Sequence, residues 1–268
     1  TWPSEGGLVQ RTLWRVLLRR AAVAAAVSDD VADDCRRVLR VRARQLTVIP
    51  NGRDAARYVP LAEERAPRPD NLPHLAFIGH LDAGKRPDRF VELVRQLRTW
   101  GLEFTASITG EGPMRTSLDA PAAAAGVELT GWCADVVPHL QRADVLAFVS
   151  APDGEGMPGV LIEAGLCAVP VVATRVPGAS TVIADGTTGA LVPIDDFPTL
   201  VDVTAALLRE PKRRAAMGPA ARARCEAAFA LPAVARQWAA VLQAVQTRRP
   251  RSRSLPESTT LRSDRGPG

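Results

Sequence analysis

The chain has 268 residues, 46% of them hydrophobic and 24% charged, so it can bury a substantial core, and its composition is that of an ordinary globular protein. Its formal charge of +5 sits mostly at the end, where residues 246–268 hold Arg248, Arg249, Arg251, Arg253, Arg262 and Arg265 against Glu257 and Asp264. A nucleic-acid reader would need a basic stripe with aromatics on its folded body, so nucleic acid is not an expected partner.

Residues 11–27 and 30–44 have helical spacing, with Leu13, Val16 and Leu17 along one face and Ser28 to Asp30 as a cap between the two. Arg11, Arg15, Arg19 and Arg20 make the first helix basic; a solvated or domain-packing face is the stronger reading, and peripheral contact with anionic lipid the weaker one. The apolar stretch Ala21 to Val27 is too short to cross a bilayer. Thr47 to Ile49 reads as a short strand closed by Pro50-Asn51-Gly52, and a Pro-rich connector occupies 60–73.

From residue 74 strand and helix alternate: Leu75–Gly79 then 87–100, Phe104–Thr109 then 113–125, Val127–Leu129 then 134–142, Val145–Val149 then 158–168. Val171–Ala173 then 177–184 and Ala190–Val192 then 196–209 continue the series, and helical patterns at 211–228 and 232–245 close it. Continuous apolar runs in the strands argue for a parallel sheet covered on both faces, an α/β doubly wound fold. Ligands of such sheets bind at the carboxyl ends of the strands. Cys35, Cys133, Cys167 and Cys225 form no C-x-x-C pair and have no His at zinc spacing, so free thiols, a cytoplasmic location and no metal site are expected.

The strongest local signal is Gly154-Glu155-Gly156-Met157-Pro158-Gly159-Val160-Leu161-Ile162-Glu163-Ala164, directly after the strand Val145–Val149. Glycines let backbone approach a ligand, Pro158 suits the first helical position, and the free N–H groups of the new helix favour a phosphate. Glu155 and Glu163 have a bland reading as a capping group and a solvated helix residue. A second reading makes them the acid/base pair of a glycoside hydrolase, which needs about 5–9 Å between carboxyls. Gly79-His80-Leu81-Asp82-Ala83-Gly84-Lys85 follows another strand, where the plain reading makes Lys85 the cap of a solvated turn and His80 a satisfied polar residue at the strand end, and the other reading lets Lys85 supply charge to a bound phosphate. Gly110-x-Gly112-x-x-Arg115 has the start of a dinucleotide fingerprint but Arg115 in place of its third glycine, so a tight turn is the better reading. Trp132 can stack on a nucleobase or be buried in the core.

Glu155 and Glu163 enclose seven residues, and this E-x7-E arrangement resembles that of family 4 retaining glycosyltransferases. Val48-Ile49-Pro50-Asn51-Gly52, Gly110-Glu111-Gly112-Pro113, Gly131-Trp132, Pro170 to Thr174 and Asp185-Gly186-x-x-Gly189 are similar to further segments of that family, in the same order. The resemblance implies the Rossmann-like C-terminal half of a GT-B fold and transfer of a hexosyl unit from a UDP- or GDP-linked donor to a hydroxyl acceptor, with retention. It implies no cofactor beyond the donor, and none of the metal-binding Asp-x-Asp type is seen. Glu155 would face the sugar and Glu163 the ribose; Gly156, Met157, Pro158, Gly159 and Val160 would present backbone to sugar or phosphate. Lys85, with Gly79, Gly110 and Trp132 nearby, would serve the nucleotide, and His80 stands where the family has Arg.

The expected division is a helical remnant of an N-terminal domain and linker at 1–45, a nucleotide-sugar-binding domain at 46–245, and a disordered Arg-rich tail at 246–268. If a partner domain is missing, Val234, Trp238 and Leu242 should be exposed. A non-catalytic donor-binding module and a GT-B epimerase are the alternatives.

Overall fold

The computed structural model describes residues 7–61, 72–152 and 155–248; Gly154 of the glycine-rich bend and nearly all of the Arg-rich tail lie outside the described residues. Helix α1 (Leu8–Arg20) leads to strand β1 (Ala24–Ala26), helix α2 (Asp29–Arg37) and strand β2 (Leu46–Val48). The main body runs β3 (His74–Ile78), α3 (Pro87–Thr99), β4 (Thr105–Thr109), α4 (Arg115–Ala125), β5 (Val127–Gly131), α5 (Val137–Arg142), β6 (Val145–Phe148) and α6 (Gly159–Leu166). It continues through β7 (Val171–Thr174), α7 (Ala179–Val182), β8 (Gly189–Val192), α8 (Phe197–Arg209), α9 (Pro211–Phe229) and α10 (Leu231–Arg248).

Strands β3 to β8 form a six-stranded parallel sheet in the order β5-β4-β3-β6-β7-β8. Every residue of β3, β6, β7 and β8 is buried, as continuous apolar strands require when helices cover both faces. One core packs Leu75, Phe77, Phe90 and Leu93 on one side; the other gathers Leu146, Phe148, Ile162 and Leu166. This is the doubly wound, Rossmann-like sheet expected. The strand order reverses between β3 and β6, so the loops leaving these two strands diverge to opposite faces and open a crevice between them.

Turn chemistry sets the helix ends. Ser28 accepts a hydrogen bond from the Val31 N–H (3.3 Å) at the start of α2, Asp196 does the same for Thr199 (3.0 Å) before α8, and Gly126 ends α4 in the left-handed region at φ 67°. The first expected helix, 11–27, is corrected: it stops at Arg20, and Ala24–Ala26 pair in parallel with Leu46–Val48. The alanine run has helical propensity, but pairing with a strand more than twenty residues away overrides it. The second, 30–44, ends at Arg37 and resumes only as a single tight turn at Ala43–Gln45.

Helix α1 buries none of its residues. Arg11 and Arg15 lie on its half-buried side, where Arg15 donates from Nε and Nη2 to the Val38 carbonyl (3.2 and 2.9 Å), while Leu8, Val9, Leu13, Trp14, Val16 and Leu17 face solvent. At the other end of the chain Val234 is buried against Gly52, whereas Trp238 and Leu242 are exposed, so the expectation for α10 holds for two of its three residues.

The thiols Cys167 and Cys225 are buried, and burial pushes both up from 9.0 to about 12. Their folded values are raised, so the stability they contribute is complete below about pH 9 and is lost as pH climbs toward 12. Alkylation at pH 8 should label Cys35 and Cys133, the partly exposed pair, and reach the other two only on unfolding; mass spectrometry of peptides before and after denaturant would show this.

Candidate functional site

The loops after β3 and β6 meet at the crevice. Asp82 accepts the Lys85 backbone N–H (2.8 Å), which curls the β3 loop, and the Ala151 N–H donates to the Gly84 carbonyl (2.7 Å), which ties it to the β6 loop. The turn after β4 joins them: Leu81 N–H donates to the Glu111 carbonyl and Met114 N–H to the Leu81 carbonyl, each at 2.9 Å. In this frame Lys85 Nζ pairs with Glu155 Oε1 and lies 5.4 Å from the centre of the Phe148 ring. The Glu155 side chain is only 8% exposed, so this carboxylate leaves water with a cation already in place.

The bend from Glu155 to Pro158 is held from several directions. Ser28 donates its hydroxyl to the Gly156 carbonyl (2.8 Å), and Asn51 donates its side-chain amide to the Met157 carbonyl (3.2 Å). Behind the bend Gly178, at φ 76°, gives its N–H to Asp30 Oδ2 (2.8 Å), and a Cβ there would stand 2.8 Å from Met157 Cα. The N–H groups of Met157, Gly159 and Val160 have no partner among the described residues. Pro158 is the residue before the helix and not its first member, a one-residue correction; α6 begins at Gly159. Those amides and the positive end of α6, beside the Lys85–Glu155 pair, make a local field that favours negative charge. Met157 reaches it through backbone alone, since its side chain is in the core.

Glu163 lies one turn into α6 and is gripped by a residue that sequence reasoning missed. Arg53 Nε donates to Glu163 Oε1 at 2.6 Å. No local spacing rule joins residues 110 positions apart, and the only hint was that Arg53 follows the Asn51-Gly52 turn.

A second hollow of about 210 Å³ lies between the turns after β3, β4 and β5, with Gly79, His80, Gly110, Glu111, Trp132 and Cys133 on its walls. It brings together the predicted residues Gly79, His80, Gly110 and Trp132. Trp132 is 73% exposed and is not a core residue. Gly110 has φ 144°, and a Cβ there would overlap the Gly79 carbonyl oxygen, so only glycine lets these two turns touch. Among the described residues no group of three or more His, Cys, Asp or Glu could hold a metal, and no helix is long and apolar enough to cross a membrane.

Residues 72–210, just over half of the chain, match the family described as Glycosyl transferases group 1. The chain belongs to that family. Among curated relatives it is 32% identical over 190 residues to the GDP-mannose-dependent alpha-(1-6)-phosphatidylinositol monomannoside mannosyltransferase of Mycolicibacterium smegmatis, covering 65% of this chain and 50% of that protein. It is 27% identical to the alpha-D-kanosaminyltransferase of Streptomyces kanamyceticus, covering 86% of this chain and 62% of that one. The chain thus spans about half to two thirds of the length of these relatives. Its fold is also that of HepE of Anabaena in complex with UDP, with a TM-score of 0.79 at 20% identity over 90% of this chain and 69% of that one. As a member of the group 1 family the chain carries a glycosyltransferase domain, and its Lys85–Glu155 pair sits at the switch point of that domain's sheet.

Proposed function

We propose that the whole protein to which this chain belongs is a retaining, family 4 glycosyltransferase that moves a hexosyl unit from a UDP- or GDP-linked sugar to a hydroxyl acceptor. Glycan, glycolipid or cell-envelope polysaccharide synthesis is the proposed setting, in the cytoplasm. Residues 46–245 are the donor-binding unit, and residues 1–45 lead in from the acceptor-binding part.

The observation that carries this reading is the Lys85–Glu155 pair at the reversal of strand order, next to three unpartnered backbone N–H groups at the start of α6. In the proposed reaction the bond from the anomeric carbon to the diphosphate breaks, a bond to the acceptor oxygen forms, and the acceptor's hydroxyl proton leaves with the departing diphosphate. Lys85 and the α6 amides stabilise negative charge that grows on the departing diphosphate, which is where fixed charges lower a barrier most. Glu155 accepts hydrogen bonds from the sugar and fixes its orientation, and Glu163 accepts from the pentose. The hollow lined by His80, Gly110 and Trp132 takes the base, with the exposed indole as a stacking surface. Names among the relatives support a nucleotide-sugar donor: one is GDP-mannose-dependent, and HepE was crystallised with UDP.

Calorimetric titration with UDP, GDP, UDP-glucose and GDP-mannose tests the reading, and saturable binding of one base class is expected. Absence of binding to all four would end it. Glu155→Ala in the full-length enzyme should lower kcat about 100-fold or more and change nucleoside diphosphate affinity less than threefold, because its proposed ligand contacts are to the sugar and Lys85 keeps its charge. Equal losses in both would remove Glu155 from that role.

A further inference from the structure

Arg53 occupies an unusual seat. Its backbone is fixed by a two-way bridge to the junction of α9 and α10: its N–H donates to the Phe229 carbonyl and its carbonyl accepts from the Leu231 N–H, both at 2.9 Å. The side chain then crosses the first residue of α6. A Cβ on Gly159 would overlap Arg53 Nη2 and stand 2.9 Å from its Cζ, so the guanidinium fills the space that a side chain at 159 would take. From there Nε reaches Glu163 Oε1 and Nη1 donates to the Gly52 carbonyl (3.1 Å), while Nη2 has no hydrogen-bond partner among the described residues. The pair is largely shielded, at 29% and 14% side-chain exposure.

Three consequences follow from this geometry. One oxygen of Glu163 is committed to Arg53, which leaves the other to accept from a ligand. The carboxylate is tethered to a partner whose own backbone is anchored at a helix junction. A free guanidinium N–H also faces the first turn of α6, alongside the unpartnered Gly159 and Val160 amides.

We infer that Arg53 is a positioning residue for the nucleoside of the donor: seated over Gly159, it holds Glu163 so that its second carboxylate oxygen meets the pentose hydroxyls, and thereby sets a preference for ribonucleotides over 2′-deoxyribonucleotides. The inference rests on the donor reading above and adds to it a residue, a role for the smallness of Gly159, and a ligand preference. A carboxylate with one oxygen held by a guanidinium N–H presents the other in a restricted direction, and a directed acceptor distinguishes the presence of a hydroxyl from its absence more sharply than a free one.

The experiment is calorimetric titration of the full chain and its variants with UDP and GDP and with their 2′-deoxy counterparts, each variant first checked by thermal melting. The wild type should prefer the ribonucleotide of the base it binds by about tenfold. Arg53→Ala should weaken ribonucleotide binding about tenfold and bring the ribo-to-deoxy ratio close to one. Arg53→Lys, which keeps the charge but loses Nε, should fall between. Gly159→Ala keeps the arginine but takes its seat, and should lose the preference as Arg53→Ala does; this variant carries the comparison if Arg53→Ala fails to fold. An Arg53→Ala protein that binds both nucleotides as the wild type does would overturn the inference. So would a loss shared equally by ribo- and deoxyribonucleotides, since that marks a merely structural arginine. A wild type that binds all four nucleotides without ribose preference overturns the inference and leaves the donor reading standing, whereas a wild type that binds none overturns both.

Discussion

Replacing Lys85 with Met should lower affinity for the bound nucleoside diphosphate 10- to 100-fold and also destabilise the fold. The first effect follows from removing the cation that stands between the β3 loop and the α6 amides, because a charge-assisted contact to phosphate is worth more than a neutral one. The second follows from Glu155, whose side chain is 8% exposed and would be left without its ion-pair partner. Breaking such a pair from one side costs a few kcal/mol when both groups are fully buried; Lys85 is 29% exposed, so about 2 kcal/mol is the better expectation. The double variant Lys85→Met, Glu155→Gln separates the two effects. It should recover most of the melting temperature and none of the nucleotide affinity, as read by denaturation and calorimetry on the four proteins of the cycle.

The second large effect is expected at Gly178, which contacts no proposed ligand. Its φ of 76° is strained for any residue with a Cβ, and a Cβ there would overlap the Gly156 carbonyl oxygen and stand 2.8 Å from Met157 Cα. Gly178→Val should therefore either push the 155–158 bend forward or lose the hydrogen bond from the Gly178 N–H to Asp30. We expect a cost of about 3 kcal/mol, a melting temperature lower by roughly 6 to 12 °C, and abolished nucleotide binding at temperatures where the variant is still folded. Nucleotide affinity equal to that of wild type in the folded variant would show that the bend does not form the phosphate seat.

The sheet was legible because its strands are apolar on both faces, a pattern that a buried parallel strand has and an amphipathic helix lacks. Glycine-rich bends after β3 and β6 marked the crevice for the same reason that they form it, since backbone can approach closely only where side chains are absent. What escaped was anything fixed by distant partners. Ala24–Ala26 is strand only because Leu46–Val48 lies beside it, and nothing in an alanine run says so. The pairing of Lys85 with Glu155 spans 70 residues and that of Arg53 with Glu163 spans 110, so motif spacing could nominate three of these four side chains but not join them. Arg53 could not be nominated at all, because its importance comes from the room that Gly159 leaves.

Helix α1 shows its aliphatic and aromatic side chains to water and turns Arg11 and Arg15 toward the protein, the reverse of how a surface helix gains stability. Thirteen residues in that orientation draw little from burial, and a helix of that length is marginal alone in water. In this chain by itself its backbone amides should therefore exchange with deuterium far faster than those of β3 or β6, and Leu13→Ser with Leu17→Ser should leave the cooperative melting transition unmoved. Helix α1 then acts as an attached but thermodynamically separate flap, whose order is decided by whatever meets its greasy side.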